Sequence, residues 1–438
     1  MIGRPTLRFT ELQLLVAPSL LAIVGILTIF LVPRRTVEWT WSDIGVSLAY
    51  VALVGLVSLS LGLLGFRGDQ VLFPITATLS GIGLLMVQRL HPALAAIDPA
   101  YASLAQKQLI YLFAGFAILW GSIVVFRRID WLRRFKYTWL LLSLGLLGVT
   151  MVFGQRIGGA KLWLSVGPIQ IQPSEIVKIT LVTFLAAYLS EKRDLIGSSW
   201  IIGPLRLPPF SYLLPMGFMW AASLLILVVQ NDLGTALLFF GVFLTMLYVA
   251  SGRLVYVTVG LTTFAVSCWG AYQAFGRIGI RVQNWLDPWK DPVDTGYQQI
   301  QSDYALATGG IIGTGLGRGE PNRIPAVHTD FVLSAIGEEL GLLGTVAVLA
   351  LYLLLVMRGF SIGLKTNDGF LRLTSIGFAA TLGIQTIIIA GGVVRLIPLT
   401  GITLPFISYG GSSLLTNFLI LGLLLHISGL TSEPDLSR

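Results

Sequence analysis

Apolar residues in this chain run on in blocks of roughly 17 to 25 positions, the length of a membrane-crossing helix, with polar breaks between them. Twelve blocks can be counted, near 12–32, 44–66, 70–88, 108–126, 138–154, 174–190, 211–229, 232–250, 254–275, 329–357, 370–393 and 406–428. A helix of about 20 residues covers the roughly 30 Å of hydrocarbon in a bilayer. No alternating ten-residue pattern of barrel strands recurs. The pattern predicts an all-α polytopic membrane protein whose first block is retained as a span, because no small-residue cleavage site follows it.

Composition agrees, with 55% hydrophobic and only 11% charged residues, where a soluble domain carries about 25% charge. The net charge of +8 reads as basic cytoplasmic loops, with no nucleic-acid partner. Arg127, Arg128, Arg133, Arg134 and Lys136 follow the fourth block, Lys192, Arg193 and Arg206 the sixth, and Arg358, Lys365 and Arg372 the tenth. Those breaks are expected inside, and the breaks after blocks five, nine and eleven outside. Arg34 and Arg35 dissent, since they fall on the outer side. Cys268 is the only cysteine and sits inside an apolar run, so it is expected to be a small buried hydrophobe. Apart from Gln13 near its start, the first two blocks hold no polar residue beyond Ser, Thr and Tyr. They read as an accessory hairpin over 1–68, bounded near Phe66–Asp69, before a main membrane domain over 69–438.

Polar residues in or beside apolar blocks carry the functional signal, because lipid makes each one costly unless it is paired or used. The longest polar stretch runs from Asp287 to Asp330, in an outer loop over 276–328 between blocks nine and ten. Its glycine-rich part, GGIIGTGLGRG (309–319), looks like a phosphate cradle, but no strand precedes it. A flexible substrate-covering loop is the expectation. Glu175 and Lys178 are three apart, on one helix face, as an ion pair or as part of a polar cavity wall. Asp232 stands in a tight break, as a helix cap or as a functional acid. Glu338 and Glu339 are adjacent in an apolar block, so at least one must face a polar interior. Close packing is expected for SYGGSS at 408–413.

The segments IQPSEIVK (171–178), NDLGTAL (231–237), LDPWKDP (286–292), GYQQIQS (296–302), HTDFVLSAIGEELG (328–341) and LTGITLPFISYGGSS (399–413) together resemble the SEDS family, whose RodA and FtsW members polymerise cell-wall glycan. The resemblance implies a bundle of ten transmembrane helices, to which this chain adds its N-terminal hairpin. It implies lipid II as substrate, a class B penicillin-binding protein as membrane partner, and a site on the outer face of the bacterial cytoplasmic membrane. Asp330 matches the acid that accepts the proton of the attacking sugar hydroxyl. Lys161, Glu175, Lys178, Asp232, Gln298, Gln301, His328, Glu338 and Ser408 fall in the motifs as substrate-binding candidates. Lys161 and Lys178 are preferred over other outer cations, Arg395 among them, for the leaving pyrophosphate. No cofactor is assigned; a divalent cation such as Mg or Mn would suit that same role, held by acids such as Asp287, Asp291 or Glu338, though no ligand spacing calls for one. The chain departs from the family pattern at Asn231, where proline is usual, and at Ile389 and Arg395, where asparagine and glycine are. A lipid II flippase or transporter would need a polar path to both faces, whereas these residues gather at one; a scaffold would leave Asp330 unexplained.

Overall fold

The computed structural model describes residues 7–32, 41–125, 129–157, 160–167, 169–192, 200–202, 205–207, 217–218, 220–221, 224–225, 230 and 232–431. Among these, eleven helices are long and apolar enough to cross a membrane. The block expected at 211–229 lies largely outside the described residues, as does Asn231. In chain order the helices are α1 (Phe9–Leu14), α2 (Val16–Leu31), α3 (Trp41–Leu63), α4 (Leu72–Ala95), α5 (Leu104–Val125), α6 (Asp130–Arg134), α7 (Lys136–Phe153), α8 (Pro173–Glu191), α9 (Leu233–Ser251), α10 (Leu254–Ala274), α11 (Gly276–Leu286), α12 (Tyr297–Gly309), α13 (Val332–Lys365), α14 (Gly369–Val393) and α15 (Gly411–Thr431). Helix is the only open-ended form that satisfies its own backbone within one segment in lipid. Between spans, where the sequence reading expected no strands, β1 (Gln155–Ile157), β2 (Ala160–Val166) and β3 (Ile169–Ile171) form one antiparallel sheet, and β4 (Trp200–Ile202) with β5 (Leu205–Leu207) another.

The chain folds as two compact units. The first comprises Met1–Phe126, Gln283–Arg358 and Gln385–Arg438. Its centre is α4, α5 and α15. Glycines let α5 and α15 approach closely, Gly115 lying against the Phe418 ring and Gly422 against Leu119 and Ser122. Phe116 lies between Phe73, which it meets edge-on, and the tilted ring of Phe418. The N-terminal hairpin of α2 and α3 packs on α4 and is tied to it by polar bonds: Tyr50 Oη donates to the Ala77 carbonyl, and Ser47 Oγ to Gln88 Oε1 at 2.9 Å. The hairpin is less featureless than its sequence. The helix starts before the expected block, and buried Glu11 accepts from Arg8 and from Ser58 Oγ. Arg8 also donates to the carbonyls of Phe66, Gly68 and Asp69, so the expected domain boundary is capped by a buried ion pair.

The second unit comprises Arg127–Val282 and Gly359–Ile384. In it α8 is buried along most of its length and packs on α7 and α9. By contrast α10 is exposed on nearly every side, and Cys268 on it is exposed, which corrects the expected burial. An apolar run reports the solvent a helix prefers, and lipid satisfies that preference without protein contact.

Candidate active site

The polar stretch after α12 ends in a turn and then in α13, whose early course is interrupted. At Gly341, φ is 70° and ψ −169°, a backbone setting open to glycine. The glycine-rich loop enters this break and is hydrogen-bonded to both sides of it. The amides of Thr314 and Gly315 donate to the carbonyls of Glu338 and Glu339 at 2.9 and 3.0 Å, and those of Leu342 and Leu343 to Gly310 and Ile311 at 2.9 and 3.1 Å. Gly313 is forced by proximity, since a Cβ there would collide with the Glu339 carbonyl. The flexible covering loop expected at 309–319 is therefore a segment pinned into a helix.

The adjacent glutamates hold the pin. Glu338 Oε1 accepts from the Glu320 amide at 2.7 Å, and Glu339 Oε2 from the Gly317 amide at 3.0 Å. Glu339 Oε1 also accepts from Arg89 Nε at 2.8 Å, and Arg89 Nη2 donates to the Gly319 carbonyl at 2.8 Å. Both Arg89 and Glu339 are fully buried. Each glutamate thus has a polar interior, built from the loop itself.

Asp330 is half-buried in the turn that precedes α13 by one residue, its amide bonded to the Ala326 carbonyl at 3.1 Å. The turn is clamped from the segment before α15. Ser408 Oγ donates to the Thr329 carbonyl at 2.6 Å while accepting from the Leu404 amide, and the Tyr409 amide donates to the His328 carbonyl at 2.8 Å. Gly401 lies beside the acid, where a Cβ would stand 3.6 Å from Asp330 Oδ2. The SYGGSS segment does more than pack: it fixes the backbone on which Asp330 stands. Gln298 donates to the Pro325 carbonyl at 2.9 Å, and Gln301 lies half-buried one turn further along α12.

His328 is 8% exposed, its ring set between Tyr101 and Tyr409 at centroid distances of 5.2 and 5.7 Å. Its Nδ1 is buried and meets no protein partner. Burial disfavours the imidazolium and pulls the pKa down to about 4. Tyr409, pushed up to about 12 by burial and by Tyr111, stays a neutral phenol over the same range. In the unfolded chain a histidine titrates near 6.5, so between these values the unfolded state holds more protons. The stability is complete above about pH 6.5 and is lost as pH falls toward 4, by roughly 3 kcal/mol in full. The midpoint of thermal unfolding in detergent should fall over that window, and His328→Gln should flatten the fall; an unchanged profile in the variant would rule out His328 as the source.

The remaining candidates belong to the second unit. Pro173 opens α8 and places Glu175 in its first turn, where Lys178 pairs with it at 2.5 Å, the side chains 2% and 9% exposed. Both expected readings of the pair are compatible with such a buried bridge. Asp232 caps α9, its Oδ1 accepting from the Thr235 amide at 3.1 Å, as the simpler reading had it. Its Oδ2 is buried without a hydrogen-bond partner, and burial, aided by the Glu175 charge, pushes its pKa up. Lys161 is half-buried in β2, opposite Arg156 in the register with β1.

Among the described residues no three His, Cys, Asp or Glu stand together. Asp287 and Asp291 cap their own turns, accepting from the amides of Trp289 and Thr295, and Glu338 is held by the loop. Arg395, an outer cation in the sequence, is likewise committed: it donates to Asp303 at 3.3 Å and to the Trp285 carbonyl at 2.9 Å, and its own carbonyl accepts from Trp285 Nε1. Sequence reasoning missed Arg89 and Gly401. Arg89 carried a signal, a charge beside an apolar block, but the block was ended at residue 88 whereas α4 runs on to Ala95. Gly401 stands in the segment LTGITLPFISYGGSS, but nothing in that segment points to Asp330.

Comparison with known proteins places this geometry. The profile of the FtsW/RodA/SpoVE family, described as cell cycle proteins, matches residues 70–433. The peptidoglycan glycosyltransferase RodA of Mycobacterium tuberculosis strain H37Rv is 38% identical over 439 residues, covering 99% of this chain and 93% of that protein. A probable peptidoglycan glycosyltransferase FtsW of Geobacter metallireducens is 36% identical over 376 residues, 83% of this chain and 95% of that one. Among solved structures, a chain from a peptidoglycan synthase complex that coordinates polymerization and crosslinking is 30% identical, with a TM-score of 0.68 over 84% of this chain and 99% of its own.

Proposed function

The chain belongs to the FtsW/RodA/SpoVE family, the SEDS family of the sequence resemblance, and on that premise we propose that this integral membrane protein is a peptidoglycan glycosyltransferase that polymerises glycan from lipid II. The observation that carries the reading is the clamped turn at 328–330, which presents one half-buried carboxylate directly before an apolar spanning helix. That is the depth at which a lipid-borne sugar head would lie.

The chemistry needs such a group. The 4-hydroxyl of an acceptor GlcNAc is a weak nucleophile near neutral pH, so a positioned base must take its proton as bonding begins. In the proposed step the acceptor O4 bonds to the anomeric carbon of a donor MurNAc, and the bond from that carbon to the lipid pyrophosphate breaks. The O4 proton passes to Asp330, and undecaprenyl pyrophosphate leaves with the bonding pair. Lys161 and Lys178 remain the candidates for the pyrophosphate charge, Lys178 with its ammonium shared with Glu175. The site faces outward across the cytoplasmic membrane, and the partner is a class B penicillin-binding protein that crosslinks the product. The solved complex of a related chain supports that pairing.

Purified chain with its cognate transpeptidase, given lipid II, should yield a ladder of glycan strands on gels. Absence of polymer together with lipid II crossing vesicles that contain the chain would replace this reading by the flippase.

A further inference from the structure

We propose that the N-terminal hairpin is a brace for the glycine-rich loop, with Leu316 as the positioning residue through which it acts on the helix that follows Asp330. The idea rests on the polymerase reading for its kinetic consequence, though not for its structural one. The family profile begins at residue 70, so the family's shared core does not include α2 and α3. In this chain they are anchored to that core by the Ser47–Gln88 and Tyr50–Ala77 bonds, and the Arg8–Glu11 pair ties the start of the hairpin to its end at Ser58, Phe66 and Asp69. Such polar ties between lipid-exposed helices fix one register against α4.

What that register holds is the loop. Leu316 packs against the cluster of Ile26 and Ile29 from α2 and Leu85 from α4. The next residue, Gly317, is buried beside Ile29 and Val32, and its amide donates to Glu339 Oε2 at 3.0 Å. Leu85 lies one helical turn before Arg89, on the same face, and Arg89 completes the contact through Glu339 and the Gly319 carbonyl. Apolar pressure from the hairpin and the buried ion pair therefore meet on consecutive residues of one loop. From Glu339 the short helical piece back to Val332 is unbroken, and Asp330 stands just beyond it. A loop that loosens by 1 Å moves that piece, and a misplacement of this size can cost about 10²-fold in rate.

Full-length Leu316→Ala, Leu316→Met and Ile29→Ala should be compared with wild type by hydrogen exchange and by lipid II kinetics with the transpeptidase present. In Leu316→Ala and Ile29→Ala the amides of Thr314, Gly315, Gly317 and Glu320 should exchange about tenfold faster while those of α5 and α15 keep their protection. The kcat should fall about tenfold with KM for lipid II unchanged, and Leu316→Met should restore both. Unchanged loop exchange, faster exchange with unchanged kcat, or loss of protection in α5 and α15 alike would each overturn the brace. A wild type that makes no glycan would overturn the polymerase reading instead, and the exchange data would then decide the brace alone.

Discussion

Asp330→Asn should abolish glycan polymerisation, lowering kcat by about 10²–10⁴-fold, the range for loss of a general base. The amide keeps the shape and hydrogen-bonding reach of the carboxylate, so the clamp from Ser408 and Tyr409 to the backbone of 328 and 329 survives. It removes the negative charge, and with it the ability to accept the hydroxyl proton. KM for lipid II should change little, because the proton is in flight only in the transition state. Gel analysis of glycan made by wild type and variant at equal folded concentration provides the measurement. Polymer from the variant at the wild-type rate would dismiss Asp330 as the base. The reaction would then have to find its base among acids that the structure commits to protein partners, Glu338 and Glu339 among them.

The second large effect concerns folding. Arg89→Ala would take the guanidinium away from the Glu339 carboxylate in a fully buried site, where the Gly317 amide would still donate to it. Breaking a buried pair from one side costs about 3–5 kcal/mol, because the remaining charge is neither solvated nor matched. Arg89→Ala should therefore lower the detergent unfolding midpoint far more than the double variant Arg89→Met/Glu339→Leu, in which no buried charge is left. Equal losses in the single and double variants would locate the stabilisation in the hydrogen bonds to Gly317 and Gly319 and not in charge compensation.

How legible each part was depended on the range of the interaction that fixes it. Ser408 was read as part of a packing segment and, from the resemblance, as a substrate contact; its bond to the Thr329 carbonyl joins positions 79 apart in the chain, and a motif cannot show such a partner. Glu338 and Glu339 were rightly expected to need a polar interior, yet nothing in their spacing told that the interior is the loop at 309–320. Arg395 looked like a free cation for pyrophosphate until the fold closed it on Asp303 and Trp285. Of the two readings of Asp232, the cap is the one the fold displays, since a cap is settled within three residues.

By itself, the sequence determined that this protein lives in a bilayer, roughly where eleven of its described spans run, and which family motifs it carries, because burial in lipid is a property of each segment alone. Tertiary structure decided the rest: that α4 continues past residue 88 and buries Arg89, that Cys268 faces outward, that α13 is broken at Gly341, and that a glycine loop fills the break. Each of these turns on which polar group meets which across long stretches of chain. In a low-dielectric interior an unmatched group is too costly to leave, so only the folded arrangement reveals the match.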